Sequence, residues 1–245
     1  MHKIHFSVII PIKNEEENIQ KLLQELEPVM EKLGKTWEAI CIDDGSTDKS
    51  LLILQALCRE KSYLRVLTFT RNFGQSAAFA AGFAAAKGEI VVTLDGDGQN
   101  DPRDIPKLTA ALADCDLVVG WRKQRKDPWQ KKIISWVSNW VRRHLCQDEM
   151  HDTGCSLKAY RKSALSKIKM YNGMHRFLPA LFKIEGLTVK EIPVSHRQRI
   201  KGKTKYHFFN RSIWPFIDML IVCWMRKRHL HPRIREEISQ KRLIQ

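Results

Sequence analysis

The chain has 245 residues, enough for one large α/β domain or two small ones, and its 43% hydrophobic content sets it apart from disordered chains. Forty-two Lys and Arg against 27 Asp and Glu give a net charge of +15, so an anionic partner is expected: nucleic acid, an acidic membrane face or a phosphorylated substrate. Six scattered cysteines without a C-x-x-C argue against a disulfide scaffold and for a reduced, cytoplasmic protein, and no run reaches the roughly 20 apolar residues that span a bilayer.

The N-terminus, MHKIHFSVIIPIKNEE, has too short an apolar run for a signal peptide and no small-residue cleavage site, which predicts a mature chain beginning here. Short apolar runs then alternate with helical periodicity from residue 5 to about 120. HFSVIIP (5–11) reads as a buried strand. Ile19, Leu22, Leu23, Leu26, Val29, Met30 and Leu33 recur at spacings of three and four, predicting a helix over 15–33. WEAICID (37–43) is the second strand, and Ser46, Thr47 or Asp48 in the following DDGSTD turn caps a helix at about 49–60. LRVLTF (64–69), an Ala-rich helix over 75–87 and EIVVTLD (89–95) continue the alternation, and a helix near 104–114 leads to DLVVG (116–120). This pattern predicts a doubly wound, mostly parallel α/β sheet.

In such sheets ligands bind beyond the carboxyl ends of the strands. Pro11 to Glu15, Asp43 and Asp44, Arg71 and Asn72, and Asp95 to Gln99 all fall at such ends, so the polar residues converge on one rim. The stretch TLDGDGQNDP (93–102) carries the sharpest signal. Residues i and i+2 of an extended chain share a face, so Asp95 and Asp97 aim at one spot. Two carboxylates there suit a hard divalent cation shared with a diphosphate, although Asp, Gly and Asn also make ordinary surface turns.

Residues 121–150 interleave cations with Trp129, Ile133, Trp136, Val137, Trp140 and Val141 at helical spacing. This fits a membrane-interface helix facing anionic lipid, or a domain helix with a tryptophan core and solvated cations. His144, Cys146, His151 and Cys155 lie close together, but their spacing matches no common zinc module. CSLKAY (155–160) reads as a strand, followed by helices near 163–169 and 174–185, a strand LTVKEIPV (187–194) and the basic loop SHRQRIKGKTKYHFF. The apolar segment SIWPFIDMLIVCWM (212–225) and a basic tail repeat the interfacial pattern, so 207–245 is expected to form an amphipathic membrane-interface unit after a domain spanning 1–206.

PIKNEEENI (11–19), DDGSTD (43–48), RNFGQSAAFAAGFAAAKGE (71–89), LDGDGQNDP (94–102), GWR (120–122) and RQRIKGKTKY (197–206) together resemble the family 2 glycosyltransferases. Within that family the chain is similar to the branch that transfers a sugar to a polyprenyl phosphate, which includes the dolichol-phosphate mannosyltransferases. The resemblance implies a GT-A type nucleotide-sugar-binding fold and an inverting, metal-dependent transfer. It assigns Pro11, Lys13, Asn14, Glu15, Ile42, Asp43 and Asp44 to the nucleoside. Asp95, Gly96, Asp97 and Gln99 go to the diphosphate and to Mg2+ or Mn2+, with Asp95, Asp97 and Gln99 as metal ligands. Arg122, Arg199 and Lys205 neutralise the donor phosphates, and Gly202 and Thr204 shape the closing loop. Lys13 stands where the family often has an aromatic residue, and Thr204 replaces the usual serine.

Breaking a sugar–phosphate bond leaves a nucleoside diphosphate, so a cation with Arg and Lys suits the developing charge. A lipid phosphate acceptor is already anionic near neutral pH and needs little help from a base. Its repulsion with the donor is offset by cations such as Lys126 and Arg161, and Asp152 is the base candidate near the acceptor, alongside Asp95, Asp97 and Arg122 as catalytic residues. The implied partners are a nucleotide-sugar donor, GDP- or UDP-linked, a polyprenyl phosphate, and the anionic cytoplasmic face of a membrane, with room for a separate membrane-protein partner. A saccharide hydroxyl as acceptor is the main alternative. A nucleotidyltransferase would use the same strand-end carboxylates, and a nucleic-acid binder would explain the charge but not the D-x-D; no nucleic acid is expected.

Overall fold

A computed structural model describes residues 3–123, 150–197 and 213–230. The expected basic, tryptophan-rich helix, the loop carrying Arg199, Gly202, Thr204 and Lys205, and Lys126 lie outside those residues.

Seven strands form one sheet in the order β3-β2-β1-β4-β6-β5-β7. β1 (Phe6–Ile12), β2 (Trp37–Asp43), β3 (Leu64–Thr68) and β4 (Ile90–Thr93) are mutually parallel, as are β5 (Leu117–Trp121) and β7 (Val189–Pro193). β6 (Lys158–Arg161) runs antiparallel between β4 and β5. The central strands are continuous apolar runs because both faces of the sheet are covered. Phe6, Val8, Ile10 and Ile12 of β1 pack with α1 (Ile19–Lys32), α2 (Ser50–Glu60) and α4 (Ile105–Ala111) on one face. Ile9 points to the other face, where α3 (Gln75–Ala85), α5 (Lys162–Leu165) and α6 (Leu178–Ile184) lie. A final helix, α7 (Ile213–Arg228), seats Met219 and Val222 on Leu181 and Ile184 of α6.

The doubly wound α/β expectation is met, with informative departures. The helix expected from residue 15 begins at Ile19 because the preceding segment is tied to the loop after β2. Asp48 accepts from the Ser50 N–H at 2.9 Å, a start signal for α2. The helix expected over 174–185 divides into a 3-10 turn at Met174–Arg176 and α6, whose Pro179 sits in the first turn, where its missing N–H costs no helical bond.

At the foot of the sheet, Ser7 Oγ donates to Glu38 Oε1 (2.7 Å) and accepts from Gly88 N–H (2.8 Å), while Arg65 closes on Glu38 Oε2 at 2.6 Å. A Cβ on Gly88 would lie 2.5 Å from Ser7 N and 2.6 Å from Phe6 C, so the α3–β4 connection is built around a bare backbone. Gly88→Ala is expected to cost about 1–3 kcal/mol by overpacking, read as a lower urea midpoint at unchanged m-value.

The 3-10 turn docks on α3 by His175, whose Nδ1 lies 2.6 Å from Ser76 Oγ. Burial, and then the charges of Arg176 and Lys158, push His175 down from 6.5 to about 3. Between those values the unfolded chain binds a proton that the folded chain refuses, so acidification from 6.5 toward 3 destabilises the fold, by at most about 1.4 kcal/mol per pH unit. His175→Gln is expected to flatten that part of the stability-against-pH curve in denaturant titrations.

Candidate active site

Two loops, one after β1 and one after β2, fold as a single unit. Asn14 adopts φ +50°, the left-handed region that Asn tolerates better than most residues. That conformation lets its N–H donate to Ser46 Oγ (2.9 Å) while its Oδ1 accepts from Thr47 N–H (2.7 Å). Glu15 N–H donates to Ser50 Oγ at 2.8 Å, and Glu15 Oε2 accepts from Asn18 at 2.7 Å. Lys13 Nζ donates to the carbonyls of Asp44 (3.0 Å) and Gly45, so this ammonium laces the P-I-K-N-E segment to D-D-G-S from within.

Asp44 is buried, and its two oxygens accept from Phe73 N–H (2.6 Å) and Gly74 N–H (3.0 Å). It thereby fixes the loop that opens α3. Asp43 Oδ2 accepts from Ser46 N–H at 3.2 Å, whereas Asp43 Oδ1 is buried and has no hydrogen-bond partner among the described residues. Ile42, expected at the nucleoside, is instead fully buried in the core against α3, near Gly82, so its side chain offers no surface to a ligand. The reason is the strand pleat, which sends residue 42 to the helix-covered face.

β4 ends at Thr93, so Asp95 and Asp97 are brought together by a turn with Gly98 at φ +72°, and not by the pleat that their spacing implied. A Cβ on Gly96 would sit 2.6 Å from Ile12 Cδ1 and 2.9 Å from Pro11 O, so only glycine lets this turn press against the end of β1. Asn100 Oδ1 accepts from Asp95 N–H (3.0 Å), Gln75 Nε2 donates to Asp95 Oδ1 (2.9 Å), and Asp97 Oδ1 accepts from Gln99 N–H (3.1 Å). Burial and then the adjacent charge of Asp97 push Asp95 up to about 6, against the opposing pull of Ser156, Lys158 and Arg122.

Next to the turn, Arg197 donates its N–H to Gln99 O (3.0 Å) and its guanidinium to Asp101 Oδ1 (2.8 Å) and to Glu25. Burial raises Asp101, but the bonds from Arg103 and Arg197 outweigh it and hold the carboxyl at about 2. Arg197 therefore stands on the rim directly beside the D-x-D.

Arg122, at the end of β5, makes a two-pronged ion pair with Asp152, Nε–Oδ2 2.6 Å and Nη2–Oδ1 2.8 Å, and its own N–H adds a third bond at 3.3 Å. Burial lowers the Arg122 guanidinium, and the Asp152 pair more than offsets this, raising it above its ordinary value. The loop bearing Asp152 is held in turn by Glu191, which accepts from the Asp152 N–H at 2.8 Å and from His151 Nδ1 at 2.7 Å. Below this pair Lys158 is buried, its Nζ donating to Cys155 O; burial lowers it, while Cys155, Asp152 and Asp95 pull the other way.

The antiparallel direction of β6 corrects one expectation. Arg161 pairs with Ile90 at the start of β4, at the foot of the sheet, and its guanidinium donates to the carbonyls of Leu112 (2.7 Å), Ala113 (2.9 Å) and Cys115 (3.0 Å). It is a structural brace, far from any acceptor on the rim, and Lys158, opposite Thr93, holds the rim position instead. Gln75, Lys158 and Arg197 were missed in the sequence. Gln75 stood in plain view inside RNFGQS, and a lysine inside the apolar run CSLKAY was the signal for Lys158.

Residues 7–169 match the glycosyl transferase family 2 profile. The dodecaprenyl-phosphate galacturonate synthase of Rhizobium johnstonii is 37% identical over 238 residues, covering 95% of this chain and 70% of that one. Among solved structures, glucosyl-3-phosphoglycerate synthase from Mycobacterium tuberculosis, in complex with Mn2+, UDP and phosphoglyceric acid, superposes with a TM-score of 0.70 at 18% identity over 90% of this chain and 78% of its own. The same synthase with Mg2+ and UDP gives 0.66 at 16% identity, over 91% and 79%. These structures share the GT-A architecture of a mostly parallel sheet flanked by helices. The profile match and the Rhizobium relative together establish that the chain belongs to glycosyl transferase family 2 and is a glycosyltransferase.

Proposed function

We propose that the protein transfers a sugar from a UDP- or GDP-linked donor to a polyprenyl phosphate at a membrane surface, with inversion at the anomeric carbon. The observation that carries this reading is the 37% identity, across 95% of the chain, to a dodecaprenyl-phosphate galacturonate synthase. The rim supports it chemically.

Asp95 is raised by burial and then by the charge of the adjacent Asp97, and the hard oxygens of both fit Mg2+ or Mn2+. Asp95, Asp97 and Gln99 would hold the ion. Bound there, it would neutralise charge on the departing diphosphate. Gln75 donates to Asp95 Oδ1 and so orients that carboxylate toward the ion. The loop unit of Pro11, Lys13, Asn14, Glu15, Asp43 and Asp44 forms the nucleoside side of the cleft. Arg199, Lys205, Gly202 and Thr204 belong to the segment that leaves the rim at Arg197 and close over the phosphates.

In the transfer, an acceptor phosphate oxygen forms its bond to the anomeric carbon as the bond to the diphosphate oxygen breaks, and that electron pair leaves with the nucleoside diphosphate. The acceptor oxygen is already anionic, so no proton has to be removed. This suits the structure, because both Asp152 oxygens are engaged by Arg122: Asp152 positions the guanidinium rather than acting as base. Arg122, with Lys126 beyond it, offsets the repulsion between two phosphorylated substrates.

The outward side of α7 carries Trp214, Phe216, Ile217, Leu220, Ile221 and Trp224, with the two tryptophans 62% and 63% exposed, and ends in Arg226, Lys227 and Arg228. Among the described residues no helix is long and apolar enough to cross a membrane. This face lies in the headgroup region of the cytoplasmic leaflet and attaches the enzyme peripherally. The basic, tryptophan-rich 129–145 segment joins it there, with or without a membrane-protein partner.

Incubating the chain with UDP- and GDP-sugars, Mg2+ or Mn2+ and a short polyprenyl phosphate is expected to give a glycosyl polyprenyl phosphate. Transfer to a saccharide hydroxyl with none to the lipid phosphate would overturn the acceptor assignment. Asp97→Asn is expected to lower turnover at least about a hundredfold. Gln75→Ala, with the metal ligands intact, is expected to weaken the apparent affinity for the activating ion by about 10–100-fold, seen as a shifted metal titration.

A further inference from the structure

A cleft of about 450 Å³ lies between the segment 167–171, the end of α6 and the last turn of α7. Its walls are divided by chemistry. Leu181, Ile184 and Trp224 are apolar, and Lys167, Lys169 and Arg228 are cationic. The lining holds one carboxylate, Glu185, so Lys167, Lys169 and Arg228 leave the local field positive.

The cleft is not part of the catalytic rim. Glu185 ends α6 just before β7, whose first residue, Val189, is paired with Leu117 at the start of β5, whereas Arg122 follows the other end of β5. Trp224 and Leu230 line the cleft and also extend the exposed apolar side of α7; Leu230 is 83% exposed. An aliphatic and aromatic surface that runs without a break into a cationic recess matches an amphiphile with an anionic head. Free phosphate would leave the apolar wall unused, and a nucleic acid would leave Ile217, Leu220 and Ile221 uncovered.

We infer that this cleft binds the phosphodiester headgroup of an anionic phospholipid, with Lys167, Lys169 and Arg228 around the phosphate and an acyl chain along Trp224 and Leu230. It is a second lipid site, apart from the polyprenyl phosphate acceptor. The inference rests on the peripheral membrane reading of α7. Vesicle binding needs neither donor nor acceptor, so its failure is separable from failure of sugar transfer.

The test uses the full chain and sedimentation with phosphatidylglycerol or phosphatidylcholine vesicles at low salt. Lys167→Glu/Lys169→Glu is compared with Lys32→Glu/Lys35→Glu, an equal charge reversal at the exposed end of α1, across the sheet from the cleft. The first pair is expected to lose about tenfold in affinity for phosphatidylglycerol and the second less than about twofold. Equal losses in the two pairs, no loss in the first, or preference for a single-stranded oligonucleotide over vesicles would overturn the site. As a check that does not depend on charge-reversed variants, phosphatidylglycerol with brominated acyl chains is expected to quench wild-type tryptophan fluorescence, and Trp224→Phe to lose a measurable share of that quenching. Undiminished quenching in Trp224→Phe would also overturn it.

Discussion

The rim is organised around Asp95, a carboxylate buried beside a second one, Asp97. Burial first, and then the neighbouring charge of Asp97, destabilise the charged form of Asp95 and lift it to about 6. The protein answers with charges and a hydrogen bond of its own. It surrounds the pair with positive charge at one remove: Lys158 buried below, Arg122 committed to Asp152, and a neutral amide from Gln75. The stabilising field is therefore in place before a ligand arrives. The cation and diphosphate proposed above would add to it.

That arrangement needs close backbone approach as much as charge. Gly96 lets the D-x-D turn press on Pro11 O, and Gly45 lets D-D-G-S press on the backbone at Arg71, where a Cβ would come within 2.6 Å. Asp44 then ties the Phe73 and Gly74 amides to β2. Three separate strand ends are thus welded into one surface before any substrate arrives. Preorganisation of this kind is what electrostatic catalysis requires, since dipoles already in place need not reorient during the reaction.

The strands, their flanking helices and the rim were legible in the sequence because periodicity and chain order encode them. Strand direction was not. CSLKAY announces a strand, but alternation is the same read either way, and an antiparallel β6 exchanges the ends: Arg161 goes to the foot and Lys158 to the rim. Partners across long sequence separations were hidden for a related reason. Asp44 and Lys13 have the residue types of ligand-binding groups, yet much of their bonding capacity goes to the backbone of the loops they hold. Gln75 with Asp95, 20 residues apart, and Ser76 with His175, 99 apart, meet only in the folded chain. Residue type reports what a side chain is able to bind; burial and neighbours decide what it does bind.

The same contacts fix where the apolar helix stands relative to the chemistry. Gln75 holds Asp95, and the next residue, Ser76, holds His175 in the turn that docks on α3. Gly173, at φ +81° just before that turn, receives Asp218 of α7 so closely that a Cβ would lie 2.0 Å from Asp218 Oδ2. Two successive residues of α3 therefore link the carboxylate at the rim to the helix whose outer face is apolar. A lipid-linked phosphate must present its charged end to the rim while its chain stays out of water. An enzyme that met such a substrate with a freely swinging anchor would lose the alignment that proximity catalysis depends on. Seating α7 through Gly173 and on the buried side chains of α6 holds the apolar surface and the carboxylate pair in one frame, so that the docking on a lipid surface proposed above would also orient the rim.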